Sequence, residues 1–416
     1  MAGENIFQFV DWIGFEMLRQ LKNKLVCGKY ANHDYEKGFK EDFAVGDTVR
    51  VPLPTRWIVT KGMGFQPQAI TEMFVTISVN EPFNVHFQYD SVEEALKMGK
   101  GRAYFKRRYL DPIVTQLANY IDTRFINFAT LNASNIVGQL GVDPSSMTPF
   151  MQARQRLIEQ GTDPDAGGPW GMFHPPAVST SLVPAYASYL NPTGEISEQY
   201  RDGQIASPHA NAEWRESVNL TRITAGTQAG TNTINGANQQ GSQLTITATA
   251  GDTYAAGDIF SIAGVNAVNP LNRNNISSTP KQFVVLTPIT CVGGGVDVLN
   301  ISPPLFPPGS QFQNVDSLPA SGAAMTSYPG TTAPNGKTST QGLLIAKDAF
   351  ALVGVPLANP KACEWETRAE DPDTKMSIAM FKMMDPQTRS WIVRADCLMG
   401  FGALLPDNAC CRIACA

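Results

Sequence analysis

The chain has 416 residues, of which 17 % are charged, with 35 glycines, 29 prolines and a formal charge of −5. That length leaves room for several domains with ample core, so no metal or disulfide is needed for stability, and low charge with much Gly and Pro points to strands, turns and long loops. The negative balance excludes a strongly basic nucleic-acid binder, and without an apolar run near ~18 residues or a basic-then-apolar leader the chain is expected to be made and kept in a cytoplasm, with no membrane partner.

Residues 5 to 26 read as an amphipathic helix. Ile6, Phe9/Val10, Ile13, Met17, Leu21 and Leu25 share one side, Asn5 can cap it, and Lys22 and Lys24 fall in the last turns. From Phe43 to Tyr89 the period becomes two. Val45-Gly46-Asp47-Thr48 is a turn, after which Val49, Val51 and Leu53 alternate with polar residues. Pro52 and Pro54 cannot donate to a central ladder, so this strand is an edge or one arm of a long two-stranded loop returning through Trp57, Val59 and the turn at Lys61-Gly62. Val75/Ile77/Val79 and Phe83/Val85/Phe87/Tyr89 give two further strand alternations. Ser91-Val92-Glu93-Glu94 is a capping box for a short helix ending near Gly99.

Six cations follow within twelve residues: Lys97, Lys100, Arg102, Lys106, Arg107 and Arg108. They form either a polyanion or subunit contact or a solvated face. From Asp111 to Asn132 runs the longest clean helical period in the chain, with Asp111 placed to cap and Pro112 at the first helical position. Ile113, Leu117, Ile121 and Phe128 are its expected core, and Val114, Ala118, Phe125 and Ala129 widen the apolar side. At ~1.5 Å per residue it is roughly 30 Å long, a spine for strands on either side.

Residues 139 to 220 mix short elements with loops. Asp163-Pro164-Asp165-Ala166-Gly167-Gly168 lacks the later ligands and bidentate Glu of a calcium loop and reads as a turn. From about Ile223 to Thr340 the chain is almost uncharged and breaks into short runs, Leu244 to Ile246, Ile259 to Ile262, Phe283 to Leu286 and Val296 to Val298, the spacing of a separate all-β sandwich or barrel. Gly293-Gly294-Gly295 is not followed by Lys-Ser/Thr and reads as a hairpin turn. Ala349 to Val355 and Ser377 to Met384 are expected strands, Asp385 to Thr388 a turn, and Trp391/Val393/Ala395/Cys397 one face of a strand whose other face carries Arg394 and Asp396.

No catalytic, cofactor or metal site is expected. His33, His86, His174 and His209 are scattered, with His86 on the polar register of a strand and His174 in a loop before Pro175-Pro176. Cys410, Cys411 and Cys415 have no neighbouring histidine and read as reduced thiols on a terminal strand. No nucleophile elbow, zinc-protease or dinucleotide fingerprint is present.

Seven stretches carry a resemblance: VGDTVRVPLPTRW, DPIVTQLANYID, LNPTGEISEQYRDGQI, GDIFSIAGVNAVNP with QFVVL, KDAFALVGVPL and RADCLMGFGALLPDNA. In this order, from about residue 30 to 412, they resemble the major coat proteins of tailed bacteriophages, of the short-tailed Salmonella phage type. The match is poorest at 224 to 243, at 303 to 340 and in the cysteine-rich end. The resemblance implies an α+β Hong Kong 97-type capsid fold: an N-terminal arm (1–40), an extended loop with flanking strands (41–90), a peripheral domain with the spine and the first part of an axial domain (91–222), an inserted β-barrel (223–340), and the remainder of both main domains (341–416). It also implies an icosahedral shell of pentamers and hexamers around packaged double-stranded DNA, a scaffolding protein and a portal as partners, and assembly in the bacterial cytoplasm. Mild acidity suits such a shell, because packaged DNA then slides instead of sticking. The rival readings are a β-rich carbohydrate-binding or adhesive module, which needs a secretion signal, and a hydrolase, which needs a pocket of convergent titratable groups.

Overall fold

The structure is a computed structural model that describes residues 16–21, 24–33, 48–59, 61–62, 67–90, 107, 111–164, 168–187, 212–273, 275–295, 297–328, 335–355, 357, 363, 365–370, 376–385 and 390–416. Its elements in chain order begin with β1 (Thr48–Pro52), β2 (Phe74–Asp90), α1 (Asp111–Asn132), β3 (Asn135–Gly138), α2 (Thr148–Glu159), β4 (Trp170–His174), α3 (Pro176–Ala187), β5 (Ala212–Glu216) and β6 (Arg222–Thr224). Then come β7 (Thr233–Ile234), β8 (Gly241–Thr247), β9 (Thr253–Tyr254), β10 (Ile259–Val268), β11 (Asn275–Val285), β12 (Ile289–Thr290), β13 (Asp297–Leu305) and β14 (Met325–Ser327). The chain closes with β15 (Thr338–Ile345), β16 (Phe350–Val355), β17 (Trp365–Glu370), β18 (Ser377–Asp385), β19 (Ser390–Ala403), the single turn α4 (Pro406–Ala409) and β20 (Cys410–Ala414). Two compact units emerge, one of Met1–Val51, Phe74–Phe125 and Phe350–Gly402, the other of Pro52–Met73, Ile126–Ala349 and Ala403–Ala416.

The first unit is built on one sheet, β1-β2-β19-β18-β17, with β16 also pairing β19. The two alternations expected at 75–79 and 83–89 are one continuous strand, because β19 pairs with β2 from Asp90 back to Ser78 and carries it past Pro82. Val393, Ala395, Cys397 and Met399 alternate as the buried face of β19, and Arg394 donates to Asp396 at 2.6 Å on the other. Gly402 is required by close approach, since a Cβ there would lie 2.6 Å from Ile77 Cγ1.

α1 occupies the span expected of the spine. In this unit its buried stripe is Val114, Leu117, Ala118, Ile121, Asp122 and Phe125, and Phe125 meets Phe350 edge-on at 6.1 Å. Asp111 does not cap it. The Asp111 Oδ1 atom is buried without a hydrogen bond, and the backbone carbonyl accepts from Thr115 instead. The inward carboxylate is Asp122, which accepts from the backbone N–H groups of Val26 (2.8 Å), Gly28 (2.9 Å) and Cys27 (3.3 Å), fixing the turn Gly28–Tyr30 that follows helical residues at 16–21 and 24. Met17 and Leu21 of these, and Leu25 after them, are buried. Its earlier half, the capping box at 91–94 and the turn at 386–388 lie outside the described residues.

The second unit holds a mixed sheet, β3-β20-β15-β4-β5, with β6 also on β15. β20 is an inner strand, parallel to β3 and antiparallel to β15, and all five of its residues are buried. The thiols do stand on this strand and just after it. α2 packs on β3 and β20, its buried residues are Phe150, Ala153 and Leu157, and Phe150 also meets Trp214 of β5 at 4.8 Å. β4 ends at His174, so this residue belongs to a buried strand and not to a loop as the following prolines suggested.

Residues 233–327 contribute a second sheet, β14-β10-β11-β13-β8-β7, and the pair β12-β9. Phe260, Phe283, Leu244, Ile246, Leu299 and Ile301 fill one core, while Ile259 and Val284 turn to the opposite face and pack on Ile136 and Ala414. β10 and β11 are thus buried on both faces. The three glycines at 293–295 all have positive φ, but they do not form a hairpin: β12 pairs with β9 and β13 with β8 and β11. The Asp297 carboxylate closes their turn by accepting from Val292 and Gly293.

Candidate assembly surfaces

Between β1 and β2 runs residue 53 to 73, the segment expected to follow an edge strand or to form part of a long two-stranded loop. Among the described residues it forms no ladder. One main-chain bond, Leu53 N–H to Met73 C=O (2.8 Å), ties its ends. Beyond that, side-chain amides take the place of a partner strand. The Gln68 carboxamide accepts from Ile58 N–H at 2.9 Å and donates back to Ile58 C=O. Gln311, from the β13–β14 connection, donates to Arg56 C=O (2.6 Å) and accepts from Thr71 N–H (3.2 Å). A primary amide can do this because it carries donor and acceptor in one plane, as a peptide group does. Trp57, Val59 and Ile70 project outward, Val59 being 96 % exposed. Apolar side chains held open on a loop tied by side-chain amides are of the kind that other proteins contact.

A polar seam joins β10 and β11 to the mixed sheet. The Gln282 amide accepts from Ile136 N–H (2.9 Å) and donates to its C=O (3.2 Å). Arg412, buried in β20, donates to Gly257 C=O at 2.6 Å. Gly257 has φ +90°, and a Cβ would sit 3.1 Å from Ile223 and Leu131 side chains. Asp258 accepts from Ala255 and Gly226 N–H, and burial still pushes its carboxyl upward. Lys281 is fully buried with Asp407 at 3.8 Å, and desolvation lowers its ammonium.

Of the basic cluster, Arg107 is exposed, and Lys97, Lys100, Arg102, Lys106 and Arg108 lie outside the described residues. Leu117 and Ile121 are buried, whereas Ile113 and Phe128 are half-buried, because the inward stripe runs through Val114, Ala118 and Phe125. His174 faces Trp214 at 5.8 Å, and burial lowers its imidazole. Ser179 approaches His174 Nδ1 at 3.5 Å but donates to Glu216, so its proton goes to a carboxylate and the imidazole does not receive it as a base would. Burial pushes the Cys411 and Cys415 thiols up to about 12, which leaves them protonated and unreactive. Among the described residues no group of His, Cys, Asp and Glu could hold a metal, and no helix is long and apolar enough to cross a membrane. Asp122, Gln282, Gln311 and Arg412 escape sequence reasoning, since each acts on backbone far away in the chain, and Gln68 does so because nothing in its neighbourhood marks a carboxamide that pairs with Ile58.

Residues 1–413 match the model of the family described as P22 coat protein - gene protein 5. The chain belongs to the P22 coat protein family. It is therefore a major capsid subunit of a phage shell, self-associating and located in the virion capsid. Among solved structures, the subunit is similar to that of Mycobacterium phage Che8, with 12 % identity over 92 % of this chain and 89 % of that one and a TM-score of 0.44. It is likewise similar to the capsid of the cyanophage P-SCSP1u, with 10 % identity, coverage of 90 % and 85 %, and a TM-score of 0.42. A virus-like particle from Pyrococcus furiosus matches with 8 % identity, coverage of 98 % and 99 %, and a TM-score of 0.37. No curated protein matches the subunit.

Proposed function

We propose that the subunit adopts the Hong Kong 97-type arrangement, with residues 223–340 as an inserted β-barrel, and that it tiles an icosahedral shell of pentamers and hexamers around double-stranded DNA. The family match along residues 1–413 carries this reading. In it, the subunit has no catalytic role and touches DNA without reading its sequence. A scaffolding protein and a portal complete the shell, which is built in the host cytoplasm. The exposed Trp57, Val59 and Ile70 make the 53–73 loop a contact for a second copy, since each subunit of a closed shell is surrounded by others like itself. The cluster at 97–108 faces the shell interior or a subunit seam.

Sedimentation and negative-stain microscopy of the chain, alone and co-expressed with its neighbouring reading frames, test the reading. Closed particles are the expected result. A fixed dimer at every salt concentration and in every co-expression, with no particles, overturns it.

A further inference from the structure

We infer that Gln311 is a positioning residue for shell assembly, by which the 304–316 segment sets the course of the 53–73 loop within the same subunit. This rests on the reading of that loop as a subunit contact. Among the described residues the loop has no ladder of its own, and the Gln311 amide is a rung that joins both its arms, at Arg56 and Thr71. The support behind the rung is stiff. Arg273 donates to the Gln311 carbonyl at 3.2 Å, Asn314 bonds Phe306 N–H (3.0 Å) and Pro304 C=O (2.7 Å), and Ser310 donates to Pro307 C=O (2.8 Å). Phe312 packs on Phe306 at 6.0 Å, and the Arg56 guanidinium lies over the Phe312 ring at 5.9 Å, a cation–π contact beside the rung. Both arms of the loop are thereby fixed near its base to a cross-linked turn about 240 residues away in sequence. Ordering the loop before the subunit meets its neighbour removes part of the entropy that association otherwise costs, so Gln311 acts on assembly without touching a second copy.

Three variants of the full chain separate the possibilities. Gln311→Met keeps the length of the side chain and deletes both bonds. In the unassembled subunit it is expected to speed hydrogen exchange at the Thr71 amide roughly fivefold or more, to leave β10 and β11 protected, and to slow shell formation followed by light scattering. Gln311→Glu retains the acceptor for Thr71 N–H, so exchange there stays near that of the parent while the bond to Arg56 C=O is lost, and assembly falls between the other two. It carries the test if the methionine variant does not fold. Trp57→Asp tests the contact itself: it blocks assembly and leaves Thr71 exchange unchanged. Gln311→Met with unaltered Thr71 exchange, or with unaltered assembly while Trp57→Asp blocks it, overturns the positioning role alone. Trp57→Asp that assembles normally overturns the loop contact, and the positioning role with it.

Discussion

Asp122 shows what one buried carboxylate can organise. Its two oxygens collect three backbone N–H groups, and Asp122→Asn turns an NH₂ toward at least one of those donors. We expect a loss of about 1–3 kcal/mol in urea unfolding, as for an unsatisfied buried donor. His174 gives a pH signature. Burial holds its imidazole below the ordinary value of 6.5, so the unfolded chain takes up the proton first as the pH falls. The stability contributed by its neutral form is present above pH 6.5 and lost as the pH falls through the lowered folded value. Between these limits the unfolding midpoint of His174→Gln should fall less steeply with acidification than that of the parent. Nothing in the sequence marks either residue, because an isolated Asp inside a helix and a His before two prolines owe their roles to groups distant in the chain.

Helix α1 is the element whose form is most plainly written in the residues: twenty-two positions of unbroken period and a proline at the second. Leu117 is 2 % exposed, so Leu117→Ala should cost ~2–5 kcal/mol, and a change below ~0.5 kcal/mol in denaturant titration would place it on the surface. β3 and β4 were unreadable for the opposite reason, and β20 was legible only as a terminal strand bearing thiols. Four or five buried residues show no alternation, and NIVG or WGMFH could belong to any apolar segment. α2 did carry a signal, with Phe150, Ala153 and Leu157 at steps of three and four. The alternations at 75–79 and 83–89 read as two strands, and long pairing with β19 makes them one. At 53–73 the described residues form no returning strand, since carboxamides take main-chain bonds there and have no periodicity.

For the molecule as a whole, the proposed domain cut and the basic cluster each make a prediction. A fragment from Arg222 to Gln341 is expected to be soluble, to give a β-type circular dichroism spectrum and to unfold cooperatively. It should be less stable than the same residues in the full chain, because Ile259, Val284 and Gln282 lose their cover from Ile136 and Ala414. A disordered fragment would assign these strands to the main sheet. Arg107→Glu with Arg108→Glu should impair shell formation strongly at low salt and less at high salt, where the lost attraction was already screened. Normal low-salt assembly, measured by light scattering, would leave a solvated face. The position of β20 has a further consequence, one of timing. It lies between β3 and β15 yet is translated after both. At about 5–20 residues per second, β3 waits some tens of seconds on the ribosome for its partner. Throughout that interval the nascent chain presents open strand edges, where a chaperone or a misfolded neighbour can bind before the sheet is closed.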